Sequence, residues 1–222
     1  MLRFFCVLCF IMVGCSSPET DLKNNLALGD SYTIGESVTV SERWPNQLVD
    51  RLNDDRTILQ SPPRIIARTG WTTDELLTAL EAENIELKYD FVSLMIGVNN
   101  QYRGRSIETF REDFLLLLQK AMGYCKVSEA GVFVLSIPDW GVTPFAFGRD
   151  KNKIAKEINQ FNSVIRQECE KAGISYFDVT EISRRAPFEP ELIAVDGLHP
   201  SGSMYALWVA KVLPFFNNSN NE

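Results

Sequence analysis

The 222-residue chain carries a single histidine, His199, and that narrows the acid–base chemistry open to it. A serine becomes a nucleophile only when a neighbouring base takes its proton, and imidazole is the side chain that gains and loses a proton near neutral pH. If a Ser–His pair exists here, its base is therefore His199. It lies in Asp196-Gly197-Leu198-His199-Pro200, where a turn through Gly197 brings the Asp196 carboxylate within reach of the imidazole. A carboxylate so placed fixes the tautomer and stabilises the imidazolium. The candidate nucleophile is Ser31, in Leu26-Ala27-Leu28-Gly29-Asp30-Ser31-Tyr32-Thr33, a short apolar strand that runs into a tight turn. Neither segment decides the matter alone. Gly, Asp and Ser are ordinary turn residues, so Ser31 is a nucleophile or a turn residue according to what surrounds it.

The elements that must position these residues alternate. Apolar runs of strand length occupy 26–28, 64–67, 89–96, 132–137 and 174–177. Pro45 at a first helical position suits an amphipathic helix over 46–52. Thr72 and Glu75 form a capping box for a helix bearing Leu76, Leu77 and Leu80. Ile107, Phe110, Phe114, Leu117, Leu118 and Ala121 recur at helical spacing, as do Ile154, Ile158, Phe161, Ile165 and Cys169, the latter run ending at Gly173. Ser201 caps a closing helix to about Phe216. The strands are apolar rather than alternating, which predicts a parallel sheet covered on both faces. In such folds ligands sit at the carboxyl ends of the strands. There the chain places Gly29-Asp30-Ser31, Thr69-Gly70, Gly97 to Asn100, and a loop over 138–149 rich in aromatics: Trp140, Phe145 and Phe147.

Composition excludes other classes. At 45% apolar and 23% charged residues, with a net charge of −7 and no basic run, the chain is a soluble-type globular domain without a nucleic-acid partner. One histidine and, once Cys6 and Cys9 are set aside with the leader described below, no close cysteine pair argue against a metal site, and no cofactor is expected. Residues 1–14 read as a signal peptide: Arg3, then an apolar run over 4–13 too short to span a bilayer of about 30 Å, then Gly14. Cys15 resembles the lipidated cysteine of a bacterial lipoprotein, although Met12 stands where Leu is commoner. Residues 15–25 are then a polar tether, 26–216 the domain and 217–222 a frayed tail. The expectation is an exported, membrane-anchored lipoprotein of the cell envelope, or a secreted or periplasmic protein. Cys125 and Cys169 are left as a possible disulfide, with a small buried side chain the preferred reading for Cys169.

Taken together, Gly29-Asp30-Ser31, Gly70, Gly97-x-Asn99 and Asp196-x-x-His199 resemble the four blocks of the SGNH (GDSL-type) esterase/acylhydrolase superfamily, in order and in approximate spacing. The resemblance covers about 26–216. It implies a three-layer α/β/α sandwich around a central parallel five-stranded sheet, flavodoxin-like in type. It implies Ser31 as nucleophile, His199 as general base and then acid, and Asp196 as its orienter. The oxyanion donors would be the N–H groups of Ser31 and Gly70 and the side-chain amide of Asn99. Trp71, Asn100 and Tyr102 flank these blocks as pocket candidates. The third block usually ends in Asp, and here Asn100 replaces it. The implied activity is ester hydrolysis, on O-acetylated carbohydrate or on lysophospholipid and similar acyl esters. The alternative is a glycan- or lipid-binding lipoprotein with an idle triad.

Overall fold

The computed structural model describes residues 22–54 and 60–218. The leader, with Cys15, lies outside them. Five strands form one parallel sheet: β1 (Asn25–Gly29), β2 (Arg64–Ala67), β3 (Phe91–Met95), β4 (Val132–Leu135) and β5 (Ser175–Phe177), in spatial order β2-β1-β3-β4-β5. Every residue of β1, β3 and β4 is buried, as continuous apolar runs between two helical layers require. Helices α2 (Trp44–Asp54) and α8 (Gly202–Asn218) pack on each other, and α5 (Ile107–Tyr124) packs against both α3 (Thr73–Ala82) and α6 (Lys151–Ala172). The three-layer α/β/α sandwich expected from the sequence is the fold observed. Phe133 of β4 anchors one aromatic cluster, meeting Trp44, Phe177, Phe215 and Phe216 at centroid distances of 5.2 to 6.4 Å.

Local signals act where the sequence places them. Thr72 and Glu75 cap α3 reciprocally, and Gly173 ends α6 in the left-handed conformation at φ 68°. Several boundaries shift, three of them with consequences. Asn25 already pairs with Phe91, so it belongs to the sheet and not to the tether. Helix α2 begins at Trp44, whose indole is buried, making Pro45 its second residue. Helix α8 runs to Asn218, two residues into the segment expected to fray. Cys125 and Cys169 are buried free thiols, so no disulfide joins them. No helix among the described residues is long and apolar enough to cross a membrane.

Register delivers the candidate residues to one edge. Gly29 pairs with Ala67 on one side and Met95 on the other, so β1, β2 and β3 end level. The next residues of each strand are the three turns singled out by sequence. Two of these turns open short helices, α1 (Ser31–Ile34) and α4 (Val98–Tyr102), and another short helix, α7 (Thr180–Ser183), follows β5.

Candidate active site

Gly29 lets the chain turn sharply into α1, because a Cβ there would lie 2.2 Å from Thr33 Oγ1 and 2.4 Å from the Met95 carbonyl. Asp30 then caps the helix, its carboxylate accepting the Tyr32 N–H at 3.1 Å. Ser31 follows as the first helical residue, 5% exposed. Neither its N–H nor its hydroxyl has a hydrogen-bond partner among the described residues.

His199 comes from the far end of the chain. The antiparallel bridge Ile193–Pro200 closes a loop, with the Ala194 N–H donating to the His199 carbonyl at 2.8 Å. Within it, Asp196 Oδ1 accepts the N–H groups of Leu198 and His199 at 2.9 and 3.0 Å. Asp196 Oδ2 meets His199 Nδ1 at 2.5 Å and accepts the Ser37 hydroxyl at 2.7 Å. Burial pushes the Asp196 carboxyl up, but the hydrogen bonds from the imidazole, the two amides and Ser37 outweigh it and hold the group well below the usual carboxylate range. An ionised Asp196 at Nδ1 favours the tautomer with its proton there and with Nε2 unprotonated, the form a base requires. Tyr32 packs edge-on against the imidazole at 5.7 Å, which confines the ring further.

The turn after β2 supplies Gly70 at φ +86°, a conformation that glycine adopts without strain. The space beside it is open, a Cβ meeting only Arg103 Nη2 at 3.6 Å, so the backbone angle is what favours glycine there. Arg103 donates to the Gly70 carbonyl at 2.6 Å while pairing with Glu75, which pins this turn and leaves the Gly70 N–H without a partner among the described residues. Asn99 donates Nδ2 to the Trp71 carbonyl at 2.9 Å and approaches Asp30 Oδ2 at 3.5 Å. Because the carboxamide is planar, fixing one N–H aims the other.

Ser31, Gly70, Asn99 and His199 line one cavity of about 180 Å³, whose remaining walls are Thr69 and the apolar faces of Tyr32, Val98, Tyr102, Trp140, Phe145 and Leu198. Asp196 stands behind His199. Tyr102 is thus at the cavity, but the other two pocket candidates are not. Trp71 packs its ring on the hydrophobic core and offers only its carbonyl, to Asn99. Asn100 is 2% exposed and grips Thr73: its Oδ1 accepts the Thr73 N–H at 3.1 Å and its Nδ2 donates to Thr73 Oγ1 at 2.7 Å. That hydroxyl in turn donates a hydrogen bond to Asp113 Oδ2 at 2.8 Å. The amide thus fills the place of the usual acid as a brace between α4 and α3. Sequence reasoning missed Ser37, whose contact spans 159 residues and leaves no local signal. The aromatic loop was visible, and it folds into two tight helical turns, Trp140–Val142 and Pro144–Ala146, that carry Trp140 and Phe145 to the cavity while Phe147 stays exposed. Another cavity, of about 220 Å³, lies between Arg166, Asp178, Glu181 and Arg184, whose charges pair with one another, and it holds no histidine.

Asp30 gives the site a pH signature. Burial pushes its carboxyl from 3.8 up to about 7, against the Tyr32 N–H that favours the ionised form. A carboxyl whose folded pKa exceeds its unfolded one binds its proton more tightly in the native state. Its contribution to stability is therefore fullest at low pH and is lost as pH rises from about 4 to about 7. Asp30→Asn keeps an acceptor for Tyr32 and removes that loss. Its unfolding free energy relative to the wild type should rise across this window by up to about 4 kcal/mol, at about 1.4 kcal/mol per pKa unit. Denaturant melts at pH 4, 6 and 8 measure this, and a difference independent of pH contradicts it.

The model of the GDSL-like lipase/acylhydrolase family matches residues 27–207. Among solved structures, the lipase/acylhydrolase from Enterococcus faecalis is 20% identical, with a TM-score of 0.68 over 89% of this chain and 97% of its own. The psychrotrophic esterase EstA from Pseudoalteromonas sp. is 18% identical, with a TM-score of 0.67 over 90% and 100%. Axe2, an acetylxylan esterase from Geobacillus stearothermophilus, is 18% identical, with a TM-score of 0.67 over 87% and 94%. No curated protein matches the chain in sequence. With a family model spanning both the serine turn and the histidine loop, the chain belongs to the GDSL-like lipase/acylhydrolase family.

Proposed function

We propose that this hydrolase cleaves short-acyl esters through Ser31, His199 and Asp196. The observation that carries the reading is the Asp196–His199 pair at 2.5 Å, set beside a cavity shared by Ser31, Gly70 and Asn99. Ser31 Oγ attacks the ester carbonyl as His199 Nε2 takes its proton. The N–H groups of Ser31 and Gly70, neither spent on the protein, receive the developing oxyanion together with the Asn99 amide. Collapse of the tetrahedral species breaks the bond to the alcohol, which leaves with the proton from His199. Water, deprotonated by His199 in turn, releases the acid and restores Ser31.

Size favours a small acyl group. The cavity of about 180 Å³ beside Ser31 has room for an acetyl or short acyl ester. The solved structures the chain resembles include both an acetylxylan esterase and a lipase/acylhydrolase, so the preference for O-acetylated carbohydrate over lysophospholipid rests on the size of the cavity. A screen of p-nitrophenyl esters from two to twelve carbons, with acetylated sugars and lysophospholipids beside them, tests this. Turnover should peak at two to four carbons and fall more than tenfold by eight. Preferred hydrolysis of lysophospholipid contradicts the reading. The apolar run ahead of Cys15 supports export with a lipid anchor at that residue. Cys15→Ser should then free the protein from membranes, and its retention there contradicts the anchor.

A further inference from the structure

A second groove, of about 390 Å³, adjoins the catalytic cavity, and Tyr102 and Trp140 line both. On the groove side lies Arg149. Its guanidinium sits 5.3 Å from the Tyr102 ring centroid, 5.4 Å from that of Trp140 and 5.7 Å from that of Phe145. Three aromatic faces hold the group in place and leave its N–H edge for a ligand. That edge donates one hydrogen bond, from Nη2 to the Tyr102 hydroxyl at 3.2 Å. Arg149 has no carboxylate partner among the described residues, although two acids line the same groove. Both are committed elsewhere. Asp150 caps α6 by accepting the Lys153 N–H at 3.0 Å. Glu157 accepts Gln101 Nε2 at 2.7 Å and faces Lys153 Nζ at 3.8 Å. In a protein of net charge −7, a cation fixed by three rings and left without a counter-ion marks a place for an anion.

We propose that this groove is the leaving-group subsite and that Arg149 selects esters whose alcohol part bears a carboxylate or phosphate. The inference rests on the assignment of Ser31 as nucleophile, since it takes the acyl group to lie in the smaller cavity and the alcohol to project past Tyr102 and Trp140. The planar guanidinium fork suits both anions. They have different sources, a uronic acid in a glycan or a phosphorylated polyol, and the test separates them.

Two matched pairs of acetyl esters are compared: methyl glucuronoside against methyl glucoside, and glycerol 3-phosphate against glycerol. The anionic member of at least one pair should have kcat/KM about tenfold higher, mostly through KM, as one charge-assisted contact at an exposed arginine provides. A preference confined to the first pair points to a glycan, and one confined to the second to a phosphorylated polyol. Arg149→Gln should abolish the preference, Arg149→Lys should keep part of it, and added salt should shrink it. Equal rates within both pairs, or a preference that survives Arg149→Gln, overturn the inference even when p-nitrophenyl acetate is hydrolysed through Ser31. If that neutral ester is not hydrolysed either, the Ser31 reading fails and takes this inference with it.

Discussion

Ser31→Ala should lower kcat for ester hydrolysis by at least about 10⁴-fold, His199→Ala should cost about as much, and the double variant should lose little more. Nucleophile and base act as one unit: without the imidazole the hydroxyl keeps its proton, and without the hydroxyl the imidazole has no proton to take. The folded protein should tolerate the serine change. Ser31 Oγ has no hydrogen-bond partner among the described residues, and alanine is compatible with the first turn of α1. Thermal melting should therefore be nearly unchanged. Losses that multiply in the double variant, or turnover within tenfold of the wild type in either single variant, contradict a Ser–His pair.

The second large effect belongs to Asn99. Asn99→Ala should reduce kcat by about 10²–10³-fold while KM changes by no more than a few-fold, because an oxyanion donor acts on the charge that develops in the transition state. The amide is held as a fixed donor would need to be. One N–H is held by the Trp71 carbonyl at 2.9 Å, and the contact with Asp30 at 3.5 Å is too long to hold the amide as firmly. Asn99→Asp is the informative companion. It nearly preserves shape but offers no donor and brings negative charge toward the oxyanion, so its loss should equal or exceed that of alanine. Steady-state kinetics on p-nitrophenyl acetate distinguish these outcomes, and an unchanged kcat in Asn99→Ala removes the residue from the oxyanion site.

The sheet was legible in the sequence because its strands are largely apolar, and β1, β3 and β4 are buried on both faces in the structure. The capping box at Thr72 and the glycine after α6 were legible because capping depends on neighbours within a few residues. The helices that carry the site were not. Residues Ser31–Ile34 and Val98–Tyr102 make about one turn each, too short for apolar periodicity to register. The same brevity explains the misplacement of Asn100. Successive helical residues point about 100° apart, so Asn99 faces the cavity while Asn100 is buried against Thr73. Trp71 contributes its carbonyl and not its ring, a distinction that residue type does not carry. The histidine loop was readable from Asp196 and His199 alone, but its third support, Ser37, reaches it through the fold.

Activation of Ser31 as a nucleophile is open to test with an alkyl fluorophosphonate. Such a probe phosphonylates a serine whose proton is being taken by a base, with loss of fluoride. Peptide mapping of the folded protein should find one adduct, on Ser31, with none after denaturation and none in Ser31→Ala. No adduct on the folded protein, or an adduct on another residue that persists in Ser31→Ala, would contradict the account.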